Sequence, residues 1–305
     1  MQVHISSIER VTHLEEDLFS PFQVVISTTT SISLLNFQSL RFTNLVGTLN
    51  QKGYREGIGT KALFQEITGF AQVNEDTLLV IDYKSNCIRR VNRQTIETSR
   101  YIGRCDGTKE TFTKILKIVA DRSANVCYMS DFGAIYRLWP NKTLQELGRK
   151  NSYDSYVAMT LDTAAKNLYM MTYYDQLIRF NIDDRTFLEI TAKNTTGFQD
   201  GSLSEALFNF PESIIHINDE ILLIADSLNN RVRVVGSDMV SSICKDNVFG
   251  IVRDDNISNC LFNTPRALAY LPKLSVVVIG TNPHLHIMCI NNSMYIISFH
   301  IFCVF

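Results

Sequence analysis

Apolar residues along this chain fall in short runs separated by turns of Asp, Asn and Gly. Runs of that kind predict strands, because they are too short and too continuous for amphipathic helices. The clearest set lies between Gly197 and Val235. There Asp200-Gly201 supplies the positive φ of a tight turn, Phe208 and Phe210 are apolar anchors, and Pro211 opens a strand without needing a donor. Ser213 to Ile217 and Ile221 to Ala225 read as strands packed on both faces, joined by the turn Asn218-Asp219-Glu220. The Asp226 carboxylate is placed to accept backbone N–H groups of the next turn. Asn229-Asn230 suits a left-handed backbone there, and Arg231 to Val234 alternates like a half-exposed strand.

The pattern recurs. Gly53 lies 144 residues before Gly197, and Asp82 lies 144 before Asp226, an offset of three units of 48. Between them stand two degraded copies, one through Lys114–Val119, Val126–Asp131 and Ala134–Leu138, the other through Tyr156–Met159, Asn167–Met171 and Gln176–Phe180. A fifth copy begins at Asp255, with Val276–Ile279 as its second strand. A sixth, poorly marked, runs through Phe22–Ser27, Ile32–Leu35 and Leu45–Gly47.

Through Asp200-Gly201, Ala206, Phe208-Asn209, Pro211, Ala225-Asp226, Asn229-Asn230-Arg231 and Arg233, the Gly197–Val235 segment resembles the NHL repeat, the blade unit of a β-propeller family. The resemblance implies an all-β, six-bladed propeller with four antiparallel strands per blade. It says almost nothing about activity. The expected organisation is one domain over 1–305, with blades near 7–50, 53–104, 106–149, 151–194, 197–246 and 250–300. Asp82, Asp131 and Asp226 are expected to hold the blades in register. Arg89, Arg137, Arg179 and Arg233, one per blade, are expected to form inter-blade bonds.

Composition agrees with a soluble globular protein: 305 residues, 45% hydrophobic and 20% charged. A formal net charge of −2 supplies no global field toward nucleic acid or an anionic membrane. The N-terminus shows no basic, apolar and small-residue succession of a signal peptide. Met294 to Phe305 is about half the length of a membrane helix, so it reads as an outermost strand or the ragged end of a truncated chain, with no membrane span.

Chemistry-bearing residues are sparse. Folding the hairpin that holds Cys87 and Cys105 about Ile96 sets the two sulfurs opposite each other, and Cys244 and Cys260 can tie one blade to the next; the alternative is buried free thiols, of which Cys127 is one. Sequons stand at Asn141, Asn194, Asn256 and Asn291, at about the chance frequency. His284-Leu285-His286 has a metal-compatible spacing but no third ligand, so no metal and no cofactor are expected. Aligned on the repeat aspartates, the channel-mouth positions are Thr68, Ile115, Tyr156, Glu212 and Arg266. They make no metal cage and no acid–base pair beyond a Glu212–Arg266 salt bridge. Arg89, Arg90, Arg93, Arg100 and Arg104 crowd one hairpin, but alternation sends them to opposite faces, which speaks against a nucleic-acid site.

The functional expectation is a non-enzymatic, monomeric scaffold for an unidentified protein partner, in a secreted protein or ectodomain. The alternatives are a propeller hydrolase or lyase with a channel-mouth site, and a cytoplasmic RNA-binding or ligase-associated propeller.

Overall fold

The strands Thr77–Asp82 and Ile221–Asp226 are buried along nearly their whole length, as their unbroken apolar runs require. Val126–Ser130 is buried throughout. The outer strands differ: Thr186–Glu189 and most of Arg41–Gly47 are exposed or half-buried. Repeated along the chain, this gradient produces an all-β, six-bladed β-propeller whose blades are four-stranded antiparallel sheets.

The computed structural model describes residues 10–106, 114–150, 155–192, 195–243, 262–281, 284–290 and 301–302. They fall into two compact units, one of Asp17–Tyr156 with Ile182–Thr186, the other of Met1–Glu16, Val157–Asn181 and Phe187–Phe305. In the first, Phe64, Phe70 and Val80 centre one core cluster, and Ile81, Ile88 and Met129 another. In the second the corresponding clusters form around Phe208, Ile214 and Ile224, and around Val232, Leu268 and Val277.

The two blades with the strongest repeat carry a short fifth strand. Gly57–Ile58 pairs with Glu97–Ile102, and Gly201–Ser202 pairs with Met239–Ser242. Gly57 and Gly201 sit at φ 147° and 151°, where a side chain is strained, which explains the Asp-Gly and Glu-Gly sequences there. The 144-residue offset persists in the backbone. The isolated bridges Lys52–Phe64 and Arg55–Leu63 recur as Thr196–Phe208 and Gln199–Leu207. Asn86 and Asn230 both adopt left-handed φ, 53° and 55°.

One strand was not legible: His13–Glu16, a four-residue strand in which Leu14 is the buried apolar residue. A single inward leucine among charged residues gives no periodic signal. The start of the copy expected from Asp255 falls outside the described residues, as do Cys244, Cys260, Asn194, Asn256 and Asn291; of that blade, Ala267–Leu271, Val276–Gly280, His284–Cys289 and Ile301–Phe302 are strands. Among the described residues no helix is long and apolar enough to cross a membrane.

Candidate functional site

Arg233 is fully buried and organises the loop that enters its blade. Its Nη1 donates to Asp226 Oδ2 at 2.7 Å and to the Leu207 carbonyl at 2.9 Å. Its Nη2 donates to the Gln199 carbonyl at 2.6 Å and to Asp200 Oδ1 at 2.8 Å. The guanidinium also lies over Phe198 and Phe208, about 5.0 Å from each ring centre. Asp226 closes the arrangement by accepting the Asn209 N–H and the Asn229 amide, both at 2.8 Å. Burial pushes the Asp226 carboxyl above its usual range, while Asn229, the Asn209 N–H and Arg233 pull it back down.

Arg89 does the same in the other unit with fewer anions. It donates to the carbonyls of Leu63 at 2.5 Å and Arg55 at 2.7 Å, lies over Tyr54 and Phe64, and stands 3.7 Å from Asp82. Glu56, at the position of Asp200, accepts the Tyr54 hydroxyl and the Arg100 N–H instead. Burial raises the Asp82 carboxyl and lowers the Arg89 guanidinium. The expectation of inter-blade arginines is therefore corrected. Arg89 and Arg233 each bind the entry loop of their own blade, because that loop's carbonyls converge on the third strand. Arg137 instead lies over Tyr128 and Trp139. Asp131 accepts the N–H groups of Lys114 and Phe132.

Of the expected channel-mouth residues, Glu212 and Arg266 meet: Arg266 Nη1 donates to Glu212 Oε1. The sequence reading missed Arg10, whose Nη2 donates to Glu212 Oε2, so that two guanidiniums hold both carboxylate oxygens. No repeat motif surrounds Arg10, and no signal in the sequence points to it. In the other unit the Tyr156 hydroxyl donates to the Gly133 carbonyl at 3.3 Å. Among the described residues no group of three or more His, Cys, Asp and Glu is placed to hold a metal ion. His286 lies 3.2 Å from the Thr281 hydroxyl and edge-on to Phe262.

Cys87 and Cys105 form a disulfide, with Cα atoms 4.9 Å apart, and Cys127 is a buried cysteine outside that disulfide. Asn141 is exposed, its side chain accepting the Thr143 N–H at 3.0 Å. The arginine-rich hairpin is dispersed. Arg89 points inward, while Arg93 pairs with buried Asp17 through two bonds of 2.6 and 3.0 Å and lies over Phe19.

One end of the second unit carries a group of exposed apolar side chains. Tyr173 (58% exposed) and Tyr174 meet edge to face in the turn after Asn167–Thr172, and Phe198, Phe210 and Leu228 (54%) stand in the entry loop and the turn after Ile221–Asp226. Hydrogen bonds lock these loops together. Asp175 accepts the Phe210 N–H at 2.8 Å and the Thr196 hydroxyl at 2.6 Å, and the Leu228 N–H donates to the Asn209 carbonyl at 3.1 Å.

No family model and no curated protein matches this sequence. Its fold does match solved structures. An auxiliary nutrient binding protein from Bacteroides ovatus superposes with a TM-score of 0.69 at 13% identity, over 90% of this chain and 67% of that one. A gluconolactonase from Xanthomonas campestris gives a TM-score of 0.63 at 10% identity, over 92% and 86%. A streptogramin B lyase gives 0.57 at 13% identity, over 96% and 85%. At these identities the likeness is one of fold, a β-propeller shared with binding proteins and enzymes alike.

Proposed function

We propose that this chain is a non-enzymatic protein-binding propeller of NHL-like repeats, working outside the cell or in another oxidising compartment. The observation that carries the reading is the exposed group Tyr173, Tyr174, Phe198, Phe210 and Leu228 on loops fixed by buried polar anchors. Aromatic side chains on a preorganised backbone are what protein interfaces enrich, since little entropy is lost when they dock. The Cys87–Cys105 disulfide supports the oxidising compartment. A channel-mouth hydrolase or lyase is the reading that the lyase and gluconolactonase likenesses raise. Against it, both oxygens of Glu212 are already engaged by guanidiniums.

The test is capture of extracellular proteins on the oxidised chain, run beside a Tyr173→Ser, Tyr174→Ser, Leu228→Ser variant of unchanged melting temperature. A partner held by the parent and lost by the variant is the expected result. A partner held equally by both would move the interface elsewhere and sink the assignment.

A further inference from the structure

Tyr169 and Arg179 stand opposite each other on the paired strands Asn167–Thr172 and Leu177–Asn181, so their side chains share one face of the sheet. On that face Tyr169 stacks on His216, with ring centroids 6.1 Å apart and planes at 20°. These three residues line a cavity of about 260 Å³ whose remaining walls include Leu188, Ile190, Leu203 and Val235. The cavity lies beside the turn Asn218-Asp219-Glu220, at the end of the strand Pro211–Asn218 away from Glu212 and from the exposed aromatic group.

Two polar groups in this wall lack partners. His216 Nδ1 is buried and makes no hydrogen bond. The Arg179 side chain is half-buried and makes no hydrogen bond or ion pair among the described residues, unlike those of Arg89, Arg93 and Arg233. Unmatched polar groups of this kind cost stability unless something fills the space between them. An apolar cavity with a few convergent polar groups is the usual construction of a small-molecule site. At the rim, exposed Asp219 and Glu220 add negative charge, and Asp219 accepts the Thr163 hydroxyl at 3.0 Å.

We propose that this cleft binds a small monocarboxylate with an apolar body. Its carboxylate sits against the Arg179 guanidinium and the His216 Nδ1–H, and its hydrocarbon lies along Leu188, Ile190, Leu203 and Val235. Burial pushes the His216 imidazole pKa down, which favours the neutral ring. With the carboxylate bound, that ring's one proton sits on Nδ1. Arg179 supplies the charge. Asp219 and Glu220 at the rim, with Asp219 acting electrostatically on His216, leave room for the one carboxylate that Arg179 balances and reject a second. The volume, below the ~300–1,000 Å³ of drug-sized sites, fits a small metabolite.

The test uses hexanoate, hexanol and adipate on the intact chain, with calorimetry for affinity and NMR of the His216 ring for location. Hexanoate should bind saturably, shift the His216 resonances, and bind about tenfold or more tighter than hexanol and than adipate, the loss expected for one charge-assisted hydrogen bond. Arg179→Met should erase the preference for hexanoate over hexanol without changing the melting temperature. Equal binding of hexanoate and hexanol, or hexanoate leaving His216 unmoved, would overturn the proposal. Those two outcomes are read on the unaltered chain, whatever the variant does.

Discussion

Arg233 Nη1 reaches Asp226 Oδ2 across 2.7 Å with both side chains fully buried, and the same guanidinium holds Asp200 at 2.8 Å. A buried guanidinium between two carboxylates and two carbonyls is a fixed joint, because each partner removed leaves an uncompensated group. Its counterpart, Arg89, has Asp82 at 3.7 Å, and Glu56, at the position of Asp200, bonds the Tyr54 hydroxyl and the Arg100 N–H in place of the guanidinium. Arg233→Ala is therefore expected to cost about 3–5 kcal/mol, and Arg89→Ala less. Denaturant midpoints of the two variants check the order. The reverse order would mean that the carbonyl bonds, common to both sites, outweigh the carboxylates.

The same site has a pH signature. Burial raises the Asp226 carboxyl pKa in the folded chain. A raised native pKa adds stability below the unfolded value, and that contribution is lost as pH climbs through the native value. Removing Arg233 removes one of the groups holding the pKa down, so it rises further. The melting-temperature gap between parent and Arg233→Ala should then be widest near neutral pH and narrow toward pH 4, where a proton neutralises Asp226. A gap that widens on acidification would contradict the sign.

His216 titrates in the opposite sense. Burial lowers its pKa, with Asp162 and Asp219 pulling up more weakly. A depressed native pKa gives stability that is present above the ordinary histidine value and lost as pH falls through the native value. His216→Phe should therefore lose less stability than the parent between pH 7 and pH 5, and the ring's NMR titration should fall below that of a free histidine. A midpoint at or above the ordinary value would refute this.

The Cys87–Cys105 bridge closes a loop of 18 residues' separation. Constraining the unfolded chain over that length is worth about 3 kcal/mol. The Cys87→Ser, Cys105→Ser double variant should show that loss, and reductant should destabilise the parent but not the variant. Equal sensitivity to reductant would place the labile bridge elsewhere.

Glu212→Gln leaves Arg10 and Arg266 facing each other without an anion. Both arginines are partly exposed, so the expected cost is modest, about 1–2 kcal/mol, and inorganic phosphate should restore part of it. Melting temperatures with and without phosphate measure both effects. A variant as stable as the parent would show that solvent already screens the cluster.

The fold was legible because propeller blades repeat and the 144-residue offset between Asp82 and Asp226 carries no slippage. The loop arginines were legible as recurring residues, but their partners were not. Carbonyls of Leu207 and Gln199 leave no mark in side-chain chemistry, so Arg233 read as reaching outward to a neighbouring blade. Cys87 and Cys105 were legible as a pair on one hairpin, although Cys105 lies past the end of Glu97–Ile102 and not opposite Cys87 in the strand register. Arg10, the Tyr169–His216 stack and the aromatic rim were invisible. Each joins residues from different strands or turns whose proximity depends on how separate blades pack.

Site-specific photo-crosslinking tests the binding reading most directly. A photoreactive phenylalanine analogue replaces Tyr174, in the aromatic group, or Met239, exposed at the start of the strand Met239–Ser242, at the end of its blade opposite the turn that holds Leu228. The account predicts an adduct of defined mass with an extracellular protein from position 174 and none from position 239. Adducts from 239 alone, or from both positions alike, would contradict it.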